Sequence, residues 1–164
     1  NNYFKNNWMP HNDTTPTTFK HSDNILQDNL YIKKYIENNC ANYLDNVNVN
    51  FSEIELYNSW FNEQTKDQVV GIHNHRDPLI KSISGVYYVK SINEEKQGVI
   101  KFKSNDPFNF EFPSDADNLK YKSTVVFKAI ENTMLFFPST ISHSVTTNET
   151  DYDRVVLSFN LEYS

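Results

Sequence analysis

The chain has 164 residues, which fits one domain and is long enough to bury a core. With 38% hydrophobic and 22% charged residues it reads as globular, which excludes the disordered and membrane-embedded classes. The net charge is −6, only two arginines occur, Arg76 and Arg154, and no Lys/Arg-rich stripe runs through the chain, which argues against a nucleic-acid partner.

Aromatic residues reach 15%, led by Phe and Tyr, and favour strands. Residues 1–21 read as an extended arm. Pro10 and Pro16 exclude a regular helix there, the Thr cluster reads as loop, and Trp8, Met9 and Phe19 are placed to pin the arm to the body. Residues 22–164 read as the domain proper. From Ser22 to about Asp45 the apolar residues Leu26, Leu30, Ile36, Cys40 and Leu44 recur at helical spacing, with Ser22 or Asp23 as the cap. Asn38, Asn39 and Asn42 weaken that helix.

The period then changes to two. In residues 51–63, Ile54, Leu56 and Trp60 fall on one face, and Glu53, Glu55 and Tyr57 on the other. Further strand-like runs occupy 68–75, 82–90, 98–103, 123–129, 133–138, 142–147 and 154–160, with turn-rich pieces between them. A helix followed by about eight short strands predicts a mainly β (α+β) sandwich or jelly roll with the helix packed on one sheet. Trp60 and Phe61 read as core. Asn58 and Asn160 can point into the barrel mouth, and Gly85 marks a close backbone approach or a bulge. The acidic stretch 104–118 reads as a solvated loop, with a substrate lid as the second reading. Cys40 is the single cysteine and cannot form an internal disulfide, which fits a reducing compartment. No apolar run spans a bilayer and no signal-peptide pattern opens the chain.

The chemistry-bearing residues are few. His73, His75 and Asp77 occupy alternate positions, and residues two apart in an extended chain face the same side. The imidazole of His75 and the carboxylate of Asp77 can therefore reach one point, with Arg76 facing away. His143, after a hydrophobic run and a Pro-Ser turn, supplies a third donor. Two imidazoles and a carboxylate on one face of an octahedron leave three positions open, the arrangement of non-haem Fe(II) oxygenases. Those positions can take a bidentate 2-oxo acid and dioxygen. Arg154 opens a later strand with Ser158 on the same side, and a guanidinium beside a hydroxyl can clamp a carboxylate. The plainer reading of Arg154 is an ion pair with Asp151 or Asp153.

The order His-x-Asp, SGVYYV, Phe-Pro-Ser, His, Arg-x-x-x-Ser resembles the 2-oxoglutarate/Fe(II) oxygenases. The closest look is to a group common in bacteriophages and marine bacteria and distantly similar to prolyl 4-hydroxylases. The resemblance covers roughly Asn58 to Leu161. It implies a double-stranded β-helix, with His75, Asp77 and His143 as iron ligands and Arg154 on the distal carboxylate of 2-oxoglutarate. Ser158 would help Arg154, Tyr88 would donate its hydroxyl to the same carboxylate, and Tyr87 would point outward. Fe(II), 2-oxoglutarate and O2 are the implied cofactors. Hydroxylation of an unactivated C–H in a small-molecule or peptide substrate, peptidyl proline among them, is the implied reaction. The implied setting is the cytoplasm, a host's if the chain is phage-encoded.

Many phage-type relatives read His-x-His-Pro where this chain reads His75-Arg76-Asp77-Pro78. A second ligand set, His73, His75 and His143, therefore stays open. In the first set His73 stands behind the ligands or faces the substrate. Two other readings remain: a cupin-like metal enzyme with three His ligands and no 2-oxoglutarate, and a non-catalytic jelly-roll binding module. The former leaves Arg154 without a cosubstrate, and the latter predicts that His75, Asp77 and His143 fail to converge.

Overall fold

The computed structural model describes residues 9–11, 15–18, 24–75, 81–103 and 124–164. In chain order the elements are β1 (Met9–His11), β2 (Thr15–Thr17), α1 (Leu30–Asn46), β3 (Ile54–Gln64), β4 (Val70–His73), β5 (Ser82–Lys90), a 3-10 turn (Glu95–Gln97), β6 (Ile100–Lys103), β7 (Thr124–Phe127), β8 (Met134–Pro138), β9 (Ser142–Val145) and β10 (Arg154–Tyr163). A main sheet in the order β1-β2-β3-β10-β5-β8 is joined by a smaller one in the order β4-β9-β6-β7. Every strand pairing is antiparallel. This is the mainly β architecture that the strand series predicts, with one helix among the described residues. No helix among them is long and apolar enough to cross a membrane.

The Thr cluster, expected as loop, instead supplies β2. Thr17 and Thr18 are buried against β3, where the Thr17 hydroxyl donates to the Phe61 carbonyl and the Phe61 N–H donates to Thr18 Oγ1. Pro10 and Pro16 sit opposite each other in β1 and β2, at the end of the sheet, where a missing N–H costs least. Trp8 and Phe19 lie outside the described residues, as do Ser22 and Asp23.

The helix starts later than its apolar spacing predicts. Asn24 bridges to Ser59, Ile25 N–H donates to the Ser59 carbonyl, and Leu26 N–H donates to Ser59 Oγ. These bonds tie the segment to β3 and withhold its donors from a helix. Asn29 is the cap, its Oδ1 accepting from Ile32 N–H at 3.2 Å. Leu26 still reaches the core from the turn before the helix, whereas Leu30 is exposed.

From Ile36 onward the four-residue spacing works as expected. Ile36, Cys40 and Leu44 lie buried on one face of the main sheet against Leu56, Ile83, Leu157, Phe159 and Leu161. Each such side chain contributes about 1.5–3 kcal/mol on burial. Gly85 is what lets Phe159 seat there. A Cβ at that position would run into the Phe159 ring and come within 2.9 Å of the Leu135 carbonyl.

β3 carries an irregularity that decides which side chains face the site. Asn160 pairs with Asn58 but Leu161 pairs with Leu56, so the register steps over Tyr57. One extra residue on a strand reverses its alternation. Leu56 therefore packs towards the helix while Trp60 turns to the opposite face. The expectation that Ile54, Leu56 and Trp60 share a face fails for this reason. Phe61 packs on the helix side, as core.

Candidate active site

A cavity of about 330 Å³ lies between the two sheets. The main sheet lines it with Trp60, Asn62, Arg154 and Ser158, and the smaller sheet with His73 and His143. The histidine end depends on a second bulge. Val70 pairs with Val145 and His73 with His143, so three steps along β4 match two along β9. The extra residue at Gly71–Ile72 turns Val70 and His73 to the same side and leaves Ile72 exposed. His75 follows just past the strand, its N–H donating to the Ser139 carbonyl at 3.0 Å.

His73, His75 and His143 converge. One candidate ligand atom from each lies within 4.8 Å of the others. Ring centroids are 4.3 Å apart for His73 and His143, 5.1 Å for His73 and His75, and 5.2 Å for His75 and His143. His143 Nδ1 is 3.1 Å from the Ile141 carbonyl and His73 Nδ1 is 2.9 Å from the Gly71 carbonyl. A ring that donates its Nδ1 proton to a carbonyl presents the Nε2 lone pair to a metal. Burial, reinforced by the neighbouring His73, pulls His143 down to about 4 against the opposing pull of Ile141. Its imidazole is therefore neutral near pH 7, the state a metal requires. Three nitrogen donors within this span fit a first-row divalent ion such as Fe(II). Asp77 and Arg76 lie outside the described residues.

The other end of the cavity is built on Arg154. It is buried, and its Nη1 donates to Gln64 Oε1 at 2.6 Å. Its guanidinium carbon stands 5.5 Å from the centroid of the Tyr88 ring. Arg154 Nε and the Tyr88 hydroxyl are both buried with no hydrogen-bond partner among the described residues. No carboxylate among them pairs with the guanidinium, and Asp151 is engaged by Lys66 at 2.7 Å. The surface ion pair weighed for Arg154 is thus replaced by a buried cation. Burial lowers the pKa of Arg154 and raises that of Tyr88, whose phenol stays a donor. A buried charge without a counter-ion costs several kcal/mol. The arrangement fits an anionic group entering the cavity.

Ser158 lines the same end. Its Oγ accepts from Asn62 Nδ2 at 2.9 Å, which leaves the hydroxyl proton free to be donated. Tyr87 points to the opposite face, its hydroxyl donating to Asn132 Oδ1 at 2.9 Å. Asn160, expected at the barrel mouth, is buried and accepts from Ser84 Oγ at 2.8 Å, and Ser84 Oγ lies 2.8 Å from Ser139 Oγ. Ser139 also holds the His75 backbone, so this polar chain links the main sheet to the histidine cluster. The sequence reading missed Gln64, Asn62 and Ser139. Only strand register reveals that Gln64 stands opposite Arg154.

No curated protein matches the sequence. Among solved structures, HygX from Streptomyces hygroscopicus, with nickel, 2-oxoglutarate and hygromycin B bound, gives a TM-score of 0.63 at 14% identity. That match covers 90% of this chain and 69% of HygX. A Pseudomonas putida prolyl-4-hydroxylase gives a TM-score of 0.61 at 10% identity, covering 97% of this chain and 77% of the hydroxylase. At these identities the likeness shows the double-stranded β-helix fold. Residues 58–160 match the sequence family described as "Putative 2OG-Fe(II) oxygenase". This stretch is well over half of the chain and holds both the histidine cluster and Arg154. The chain therefore belongs to the 2-oxoglutarate/Fe(II) oxygenase family, enzymes that work with Fe(II), 2-oxoglutarate and dioxygen.

Proposed function

We propose that the chain hydroxylates an unactivated C–H of a small-molecule or peptide substrate, with a peptidyl proline as the first candidate. The observation that carries this reading is the opposed pair of ends in one cavity. A cluster of imidazoles stands at one side, and a buried guanidinium without a carboxylate partner among the described residues stands at the other. The proline candidate rests on the fold likeness to a prolyl-4-hydroxylase.

In this reading His75, Asp77 and His143 hold the iron. Arg154 binds the distal carboxylate of 2-oxoglutarate by charge-assisted hydrogen bonds, with the Ser158 hydroxyl and the Tyr88 phenol as further donors. The bound iron with 2-oxoglutarate and dioxygen supplies the oxidation, leaving succinate, CO2 and a hydroxylated product. The protein fixes orientation. Arg154 sets which end of the cosubstrate faces the histidines, and the walls formed by Trp60, Val86 and Phe137 keep water away from it.

A second ligand set is favoured by one observation: His73 already presents a candidate ligand atom within 4.8 Å of those of His75 and His143. In that set His73 replaces Asp77. The two sets separate on iron content. Asp77→Ala is expected to lose iron while His73→Ala keeps it, and the reverse result selects the three-His set. For the reaction itself, succinate release is measured against prolyl peptides, free amino acids and small metabolites, with His143→Ala as control. Substrate-stimulated succinate release that persists in His143→Ala would overturn the proposal.

A further inference from the structure

We infer that Gln64 is a positioning residue for Arg154, a neutral acceptor that fixes the guanidinium while leaving its charge available to a bound dicarboxylate. The inference rests on the reading of Arg154 as the cosubstrate anchor. It starts from register: Gln64 closes β3 directly opposite Arg154 at the start of β10. The amide is fully buried and all its polar atoms are engaged. Nε2 donates to the Gln68 carbonyl at 2.7 Å and to the Thr146 carbonyl at 2.8 Å. Both amide protons are thereby consumed, so the atom facing Arg154 must be the oxygen. It accepts from Nη1 at 2.6 Å.

The amide cannot swing away. Gly98 packs against it so closely that a Cβ there would lie 2.8 Å from Gln64 Oε1, and Gly98 holds φ +96, which a larger residue rarely adopts. The backbone of Gln64 is pinned as well, its carbonyl accepting from Asn148 Nδ2 at 2.9 Å. Two carbonyls and a glycine thus converge on one side-chain amide, and an asparagine on its backbone, which leaves the amide oxygen to hold one guanidinium.

Charge gives the arrangement its meaning. An acidic residue at position 64 would also bind Nη1, but it would neutralise Arg154 and compete with any incoming carboxylate. A glutamine makes the same hydrogen bond without that competition. Gln64 does not line the cavity, so its effect on a ligand must pass through Arg154.

The test uses the Fe(II)-loaded protein under exclusion of oxygen. It is titrated calorimetrically with 2-oxoglutarate and with pyruvate, a 2-oxo acid that lacks the distal carboxylate. The wild-type chain is expected to prefer 2-oxoglutarate by about 100-fold, the scale of a buried hydrogen-bonded charge pair. Gln64→Glu is expected to reduce that preference at least ~10-fold by cancelling the charge. Gln64→Met keeps the length without polarity, falls between the two, and decides the matter should Gln64→Glu fail to fold. Pyruvate affinity stays at the wild-type value in both, which a general distortion of the site would not allow. In turnover the same variants raise KM for 2-oxoglutarate with little change in kcat. A preference within ~2-fold of wild type in folded Gln64→Met or Gln64→Glu overturns the inference, since a few tenths of a kcal/mol is what uncoupled sites show. Arg154→Met separates the two levels. If it keeps the preference, Arg154 is not the anchor and the cosubstrate reading falls as well. If it abolishes the preference while both Gln64 variants retain it, only the role of Gln64 falls.

Discussion

The two faces of β10 are built on opposite rules. Towards the helix the strand presents Leu157, Phe159 and Leu161, all in the largest apolar cluster among the described residues, with Phe159 also reaching the cavity wall. Towards the cavity it presents Arg154, Val156 and Ser158, with a charge buried beside the Tyr88 ring. The first face stabilises by removing apolar surface from water. The second buries polar groups at a cost and recovers it only when a ligand arrives. One strand thus carries stability on one side and recognition on the other, and substitutions on the two sides should have separable effects.

The largest expected effect is on the cavity side. His143→Ala should lower iron content and coupled succinate release by at least ~100-fold, more than loss of a supporting residue around a metal usually costs. Stability without metal should fall by about 1–3 kcal/mol, the cost of leaving the Ile141 carbonyl without its partner. A larger loss would show that the cavity side also carries the fold. On the helix side, Leu161→Ala should cost about 2–5 kcal/mol in urea unfolding, since the side chain is fully buried in the helix-side cluster. Activity per folded molecule should survive. Arg154→Met sharpens the contrast further. Affinity for 2-oxoglutarate should fall by roughly 30-fold or more. Stability should change by less than about 3 kcal/mol, because the relief of removing a buried charge is set against the Gln64 Oε1 left without its donor.

The smallest effect is expected at Cys40, under the helix. Burial pushes its thiol from the ordinary 9.0 up to about 12. The folded state therefore holds the proton that the unfolded chain releases. Any stability contributed by the neutral thiol is complete below about pH 9 and is lost as pH rises towards 12. Thiol reagents at pH 8 should modify Cys40 only after denaturant is added. Rapid labelling of the native chain would show that the helix-side core opens more readily than its packing implies.

Much of this plan is legible from residues alone, and what escapes has a common cause. β5 shows as an aromatic and β-branched run between turn residues, and the structure gives the same bounds, Ser82–Lys90. His75, His143, Arg154 and Ser158 were legible as candidates because few residue types can do such chemistry, and all four line the cavity. What alternation cannot show is where it is interrupted. The bulge at Tyr57 sends Trp60 to the cavity, and the one at Gly71–Ile72 brings His73 beside His143. Both depend on pairing with a distant strand. Gln64 was invisible for the same reason, since nothing near it in sequence marks it as the neighbour of Arg154. The start of α1 was misplaced because Ser59 captures the backbone of Ile25 and Leu26, a long-range event that local spacing does not record.

The central position of β10 in the main sheet has a kinetic consequence. β3 and β5 do not pair with each other. Each pairs with β10, whose residues lie 90 to 109 positions after their partners in β3. During synthesis both strands must wait with an open edge until residues 154–163 have been made, and open edges invite pairing with other chains. Contacts this distant along the chain also place the protein among the slower folders of its size. Refolding yield should therefore fall steeply as protein concentration rises, and a chain cut short before β10 should aggregate instead of forming a smaller stable domain.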